Sequence, residues 1–461
     1  IGVAHIISIA TGLSISSIAT DKNVGAGGPY YIVSRSLGLP IGGALGLALF
    51  LGLCFGTSLY IIGFSESILS FFSIEATPNN LRITGTLALV AVAAVTIIST
   101  SFALKTQYVV LSLIGISLVA IFLGRDVPLA STSPIIQADA PPSEFALFAI
   151  FFPAVTGFTA GVNMSGDLKN PKSAIPKGTL LAILTGLVVY VALTIFLSLR
   201  VPSSALIDDP NVLSSIAFHP WAVTAGIWGA TFSSALGSLM GAPRILQALS
   251  VDRVTPRFFA HGRGLGNEPF RALAIAFLIA ECGIIIAELN QIARIVSMVF
   301  LTLYAFLNIS CAIEAKVSPD FRPSFRIPAS ISVIGALTCF LVMALLDIGP
   351  MLGAIILMLA LFGLLQRRAL KLESGDAWSG IWQNLIRTGL PKLLGKTAQN
   401  DRHWSPIVLD FGGPSASGSE HKNLQTSLVG GSGFLTRLYA APPASSSTQK
   451  EDNLPGLFQE D

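Results

Sequence analysis

Charge is scarce in this chain. Only 11% of its 461 residues are Asp, Glu, Lys or Arg, while 52% are hydrophobic and the mean hydropathy is +0.71. No soluble domain of this length has such a composition, so a water-soluble globular protein is excluded. Cysteine is scarce as well. Cys54, Cys282, Cys311 and Cys339 all sit in apolar segments and none is spaced as CxxC, which argues against a zinc site and a disulfide framework. Five scattered histidines form no ligand cluster. GxSxG, HExxH, a Walker loop and a histidine–carboxylate cluster are all missing. No enzyme, catalytic residue or cofactor is therefore expected, and no metal beyond a transported ion. The net charge of +3 carries little information, and no nucleic-acid partner is expected. A signal peptide is also missing. The chain opens on Ile1, already inside the apolar stretch IGVAHIISIATGLSISSIAT, and the expectation is that its true start lies upstream.

What is abundant is apolar length. Stretches of ~17–25 residues bounded by charge or turn residues give about eleven membrane spans. They run approximately 1–20, 42–71, 83–104, 106–124, 144–166, 175–199, 221–247, 271–288, 292–313, 329–347 and 350–366. The odd number fits a missing first helix. Alternate loops carry Lys22, Arg35, Lys105, Lys169, Lys172, Lys177, Arg244, Arg253, Arg257, Arg263, Arg271, Lys316, Arg322 and Arg326; the others carry only Arg82, Arg125, Arg200 and Arg294. The positive-inside rule places the first set, and the C-terminus, in the cytoplasm of a multi-pass protein of the cell membrane. Residues 1–367 then form the transmembrane domain. Residues 368–411 form a cytoplasmic segment. Within it, 376–395 include an amphipathic stretch with Trp378, Trp382 and Leu385, suited to a helix on the membrane surface or in the cytoplasm. In 412–461 Gly, Ser and Pro dominate, the composition of a disordered tail.

One span does not read as a continuous helix. In Phe151–Gly178, FFPAVTGFTAGVNMSGDLKNPKSAIPKG, Pro153, Gly157 and Gly161 recur every four residues. Proline removes a backbone donor and glycine weakens what remains. Backbone freed inside a bilayer must find partners, so an interrupted helix usually lines a polar cavity. The start of the second half, Gly157-Phe158-Thr159, offers free N–H groups that favour an anion. The end of the first half offers free carbonyls. With the Thr156 hydroxyl and the Pro153 carbonyl they suit a dehydrated monovalent cation. The same pattern also fits a proline kink filled by neighbouring helices.

Other spans hold isolated polar groups. Ala230, Ser233 and Ser234 share one helix face by their i, i+3, i+4 spacing. Two hydroxyls and a carbonyl offer oxygens to a small cation, although small residues also serve close helix packing. Tyr60 and Tyr304 lie deep in apolar spans. A buried phenol needs a partner, either an ion or a neighbouring backbone. Glu66, near the outer end of its span, is a candidate for half of a gate ion pair, and mid-span Glu281 for protonation or an oligomer contact.

Taken together, ATGLSISSIATDKNVGAGGPYYIVSRSLG, FFPAVTGFTAGVNMSGDLKNPKSAIPKGTLLAIL, SSALGSLMGAPRILQAL, GNEPFRALAIAFLIA and IAELNQIARIVSMVFLTLYAFLNISC resemble the cation–chloride cotransporter family. That family lies within the amino acid–polyamine–organocation superfamily, and the resemblance runs from about residue 8 to 411. It implies an all-α membrane protein of the LeuT-type inverted-repeat class: two inverted five-helix repeats plus two further helices, about eleven of twelve being present. By matching position it implies potassium ligands at Tyr60, Pro153 and Thr156. It implies a chloride site at the Gly157, Phe158 and Thr159 amides with the Tyr304 hydroxyl, and a sodium site at Ala230, Ser233 and Ser234. Paired serines together with Tyr60 resemble the sodium–potassium–chloride branch. The resemblance also suggests a homodimer. The family's first helix, itself broken, has no counterpart in 1–461, so these residues expressed alone are expected to move no ions. Residues 403–411, HWSPIVLDF, resemble the start of the family's cytoplasmic domain, and Glu281 replaces an apolar residue.

The function these features favour is secondary symport of Na⁺ and/or K⁺ with Cl⁻ by alternating access. One alternative is an amino acid or organocation permease of the same fold, although TGFTAGVNMSGD carries no acid before Asp167. Another is a truncated, non-transporting membrane subunit.

Overall fold

In a bilayer every backbone polar group must be satisfied internally, and apolar spans of this length meet that demand as helices. The computed structural model describes residues 1–21, 24–98, 100–124, 143–202, 205–206, 211–263, 267–317, 321–346 and 348–367, and two short strands beyond them. In chain order the helices are α1 (Gly2–Asp21), α2 (Pro29–Leu37), α3 (Leu39–Phe71), α4 (Pro78–Ile98), α5 (Thr100–Phe122), α6 (Glu144–Phe151), α7 (Ala160–Asn163), α8 (Pro171–Arg200), α9 (Val212–Ile216), α10 (Pro220–Val251), α11 (Phe270–Ile286), α12 (Leu289–Val317), α13 (Ala329–Leu346) and α14 (Ile348–Arg367). Proline in the first turn of α2, α3, α8 and α10 starts those helices where a missing N–H costs nothing. Each expected span falls on one helix, except 83–104, which runs from α4 into the start of α5, and 144–166, which is broken. Among the described residues eight segments are long and apolar enough to cross a membrane, and the chain is a multi-pass membrane protein.

Burial sorts these helices into layers. The most apolar windows of α12, α1 and α3 are 78%, 72% and 67% buried, whereas that of α8 is 6% buried. The first three therefore form the centre, and α3, at 33 residues, packs against α2, α10, α11, α12 and α14. On α8, Leu181, Leu184, Val188, Val191, Ile195 and Leu199 face outward at helical spacing. In water such a stripe would be a defect, whereas hydrocarbon chains solvate it at no cost.

The loop Gly25–Gly28 and α2 close one end of the bundle against the broken span and α10. Ser165 Oγ donates to the Gly25 carbonyl at 2.6 Å. Gly28 adopts φ +42°, and a Cβ there would lie 2.0 Å from the Val162 carbonyl oxygen. Only glycine combines that dihedral with that approach. Just beyond α10, Asp252 accepts from both guanidinium nitrogens of Arg35, at 2.6 and 3.0 Å, and from the Tyr30 hydroxyl at 2.5 Å. Burial, reinforced by the Asp252 carboxylate, pushes the Tyr30 phenol well above its ordinary value, so it remains a donor. Paired and hydrogen-bonded in this way, the half-buried charges fasten α2 to the end of α10.

Residues 1–382 and 383–461 form two compact units. In the second, Ile407–Asp410 pairs in parallel with Phe434–Arg437, Ile407 standing opposite Phe434. The first strand falls within HWSPIVLDF; the second falls within the stretch expected to be a disordered tail. The amphipathic stretch 376–395 lies outside the described residues.

The close approach at Gly28 gives a stability prediction. Gly28→Ala is expected to cost about 2 kcal/mol or more, lowering the melting temperature of the detergent-solubilised protein by several degrees. Gly2→Ala, where a Cβ meets nothing within 4 Å, is expected to leave it unchanged.

Candidate functional site

The break follows directly from Pro153. After α6 the chain makes a three-ten turn over Phe152–Val155, leaves helical bonding at Thr156, resumes over Gly157–Thr159 and joins α7. The i→i−4 bonds across Thr156 are lost, which leaves carbonyls on one side and N–H groups on the other.

The carbonyls are not free, contrary to expectation. The Pro153 oxygen accepts from the Thr156 N–H at 3.2 Å and the Thr156 hydroxyl at 2.7 Å. The Ala154 oxygen accepts from the Tyr190 hydroxyl of α8 at 3.0 Å, and the Val155 oxygen from Ser8 of α1 at 3.2 Å. The Thr156 oxygen accepts from the Tyr304 hydroxyl of α12 and the Thr159 hydroxyl, both at 3.1 Å. One turn earlier, Ser297 of α12 donates to the Ala149 oxygen at 2.6 Å. The reason is energetic: an unpaired carbonyl inside a bilayer costs several kcal/mol, so neighbouring hydroxyls converge on the break. Tyr304 thereby takes the backbone role open to it from the start. With its single proton engaged by Thr156, its hydroxyl is not directed at an anion in this arrangement.

The N–H groups fare differently. Among the described residues those of Gly157 and Phe158 have no hydrogen-bond acceptor. Gly157 is exposed, and a Cβ on it would meet nothing within 4 Å. Two adjacent unpaired donors carry a fixed partial positive charge and suit an anion.

Beside them lies a cavity of about 320 Å³. Tyr60 of α3, Gln107 of α5, Thr156, Gly157 and Thr159 of the break, and Ser233 and Ser234 of α10 all line it. Three parts of the chain proposed separately from sequence thus meet at one place. Pro153, Phe158, Tyr304, Ala230 and Glu66 are not among the lining residues. Phe158 and Tyr304 instead pack on each other, ring centroids 5.3 Å apart. Glu66 is half-buried and has no ion-pair partner among the described residues. Glu281 accepts from Thr86 of α4 at 2.6 Å, so this acid meets a hydroxyl of its own chain.

Sequence reasoning missed Ser8, Tyr190, Ser297, Gln107 and Asn163. Gln107 accepts a hydrogen bond from the Ser233 hydroxyl, and Asn163 also lines the cavity. Their only sequence signal is polarity within or beside an apolar span. Among the described residues every side chain lining the cavity is uncharged. An ion bound there would be held by neutral oxygens or amide N–H groups, and ions of opposite sign would offset each other's cost of dehydration.

The convergence of hydroxyls gives a further prediction. Tyr190→Phe strands the Ala154 carbonyl and is expected to destabilise the protein by about 1–3 kcal/mol, read as a lower melting temperature in detergent.

Comparison with known proteins agrees with this architecture. The amino acid permease family matches residues 1–377. Solute carrier family 12 member 2 of Mus musculus is 36% identical over 425 residues, covering 78% of this chain and 35% of the relative. Solute carrier family 12 member 1 of Rattus norvegicus is 34% identical over 410 residues, covering 75% of this chain and 37% of the relative. Solute carrier family 12 member 3 of Pseudopleuronectes americanus is 33% identical over 412 residues, covering 75% and 40%. The chain spans somewhat over a third of the length of these relatives. A helical bundle organised around a helix broken in mid-span is the LeuT-type transporter fold, and with the match covering most of its length the chain belongs to the amino acid permease family.

Proposed function

We propose that this chain is the membrane core of a secondary symporter that couples Na⁺ and/or K⁺ to Cl⁻ by alternating access. The observation that carries the proposal is the shared cavity. There the unpaired amide of Gly157 faces the same space as the uncharged oxygens of Tyr60, Thr156, Ser233 and Ser234. The amides suit chloride and the oxygens suit alkali cations. In a pocket without side-chain charge, each ion supplies the counter-charge of the other. That requirement favours obligate, electroneutral coupling over uniport.

Within this reading Tyr60 and Thr156, with the carbonyl of Pro153, hold potassium. Gly157, Phe158 and Thr159 hold chloride through their amides, and Tyr304 supplies its hydroxyl once freed from Thr156. Ser233 and Ser234, with the Ala230 carbonyl, hold sodium. Glu66 stands toward the outer end of α3 as a gate residue. The protein works as a homodimer in the cell membrane with its C-terminus in the cytoplasm, needs no cofactor, and is not an enzyme. The solute carrier family 12 relatives support this reading over an amino acid substrate.

Ion uptake by the full-length native protein tests it. Cation uptake is expected to require external chloride. Chloride-independent cation flux, or amino-acid-stimulated transport indifferent to chloride, would refute the proposal. Ser234→Ala is expected to abolish the sodium dependence of uptake while leaving the protein at the membrane. Tyr60→Phe is expected to weaken potassium dependence, measured as a raised KM for rubidium used as a potassium tracer.

A further inference from the structure

A serine binds a cation through oxygen lone pairs, and it can present them only if its proton points to an acceptor elsewhere. In a helix that acceptor is usually the carbonyl one turn back. Thr57, Ser65 and Thr231 follow that pattern. Ser233 does not: its hydroxyl donates across the helix interface to Oε1 of Gln107 on α5. Gln107 lines the same cavity as Ser233 and Ser234.

The packing of the two helices builds this contact. A Cβ on Gly226 of α10 would lie 2.3 Å from the Cβ of Ser117 on α5, and Gly229 of α10 faces Leu113 and Val110. Ser117, Leu113, Val110 and Gln107 follow one face of α5 at helical spacing, as Gly226, Gly229 and Ser233 do on α10. The glycines let the backbones approach, and the face they create ends at Gln107 and Ser233.

We infer that Gln107 is a positioning residue of the sodium site, an inference that rests on reading Ser233 and Ser234 as that site. By taking the Ser233 proton it leaves both lone pairs of that hydroxyl for the cation. Because it is an uncharged amide, it does so without giving the site a negative charge. The bound sodium then still needs chloride as its counter-charge, which makes Gln107 part of what keeps the two ions coupled.

The test is chloride uptake as a function of sodium concentration in the full-length native protein, with surface amounts measured. Gln107→Leu removes the acceptor at similar size. Its KM for sodium is expected to rise about tenfold, with the KM for chloride within about twofold of the unsubstituted value. Gln107→Glu keeps an acceptor but makes it titratable. Its sodium KM is expected to rise as pH falls and the carboxyl protonates, and its sodium binding to need chloride less. An unchanged sodium KM in Gln107→Leu would overturn the inference. Should that variant fail to reach the membrane, a pH-independent sodium KM in Gln107→Glu would overturn it instead. If the unsubstituted protein shows chloride uptake without sodium stimulation, the sodium reading of Ser233 and Ser234 falls, and the inference with it.

Discussion

Inside a bilayer a peptide group has no water to turn to, and the rest of this molecule is arranged around the one place where the helix ladder stops. Pro153 and the glycines after it free the carbonyls of residues 153–156 and the amides of Gly157 and Phe158. Three helices answer the carbonyls with hydroxyls: α1 through Ser8, α8 through Tyr190 and α12 through Tyr304. These bonds fix where the helices stand relative to the break. They also account for an asymmetry, since the oxygen side is satisfied by protein while the N–H side is not. The carbonyls meet hydroxyl donors from neighbouring helices, whereas among the described residues no acceptor reaches the amides of Gly157 and Phe158.

The cavity inherits that asymmetry. Its polar lining combines a backbone amide, hydroxyls and the side-chain amides of Gln107 and Asn163, and none of the described side chains lining it carries charge. In a site built this way, ions of opposite charge bound together would offset part of each other's dehydration cost. Charged groups stand elsewhere. Arg35 and Asp252 fasten α2 to the end of α10, and Arg244 pairs with Glu268 at 3.3 Å. These pairs brace helix ends, and the glycine loop ahead of α2 presses on the second half of the broken span.

Much of the framework was legible in the sequence. Apolar length located most of the helices because twenty or so uncharged residues have no stable alternative in lipid, although 83–104 ran from α4 into α5, and Pro153 with Gly157 marked the break because their backbone chemistry forbids a regular helix. The face shared by Ser233 and Ser234 followed from helical spacing alone. Periodicity within one helix carries no information about which helix lies opposite. Tyr304 illustrates this: sequence left it open to an ion or a backbone partner, and only the approach of α12 to Thr156 selected the carbonyl. Pro153 shows the same limit, since its carbonyl was expected to be free and the local turn occupies it with the Thr156 hydroxyl and N–H.

The sequence by itself thus determined that the protein lives in a membrane, where its helices run, and that one of them is broken, because these depend on local composition and backbone stereochemistry. Tertiary structure decided that the break, Tyr60 and the α10 serines share one cavity, that Ser8 and Tyr190 cap the broken backbone, and that Gln107 meets Ser233. Those contacts join residues tens to hundreds of positions apart, and their geometry is set by how glycine and alanine faces let helices approach, which no single segment encodes.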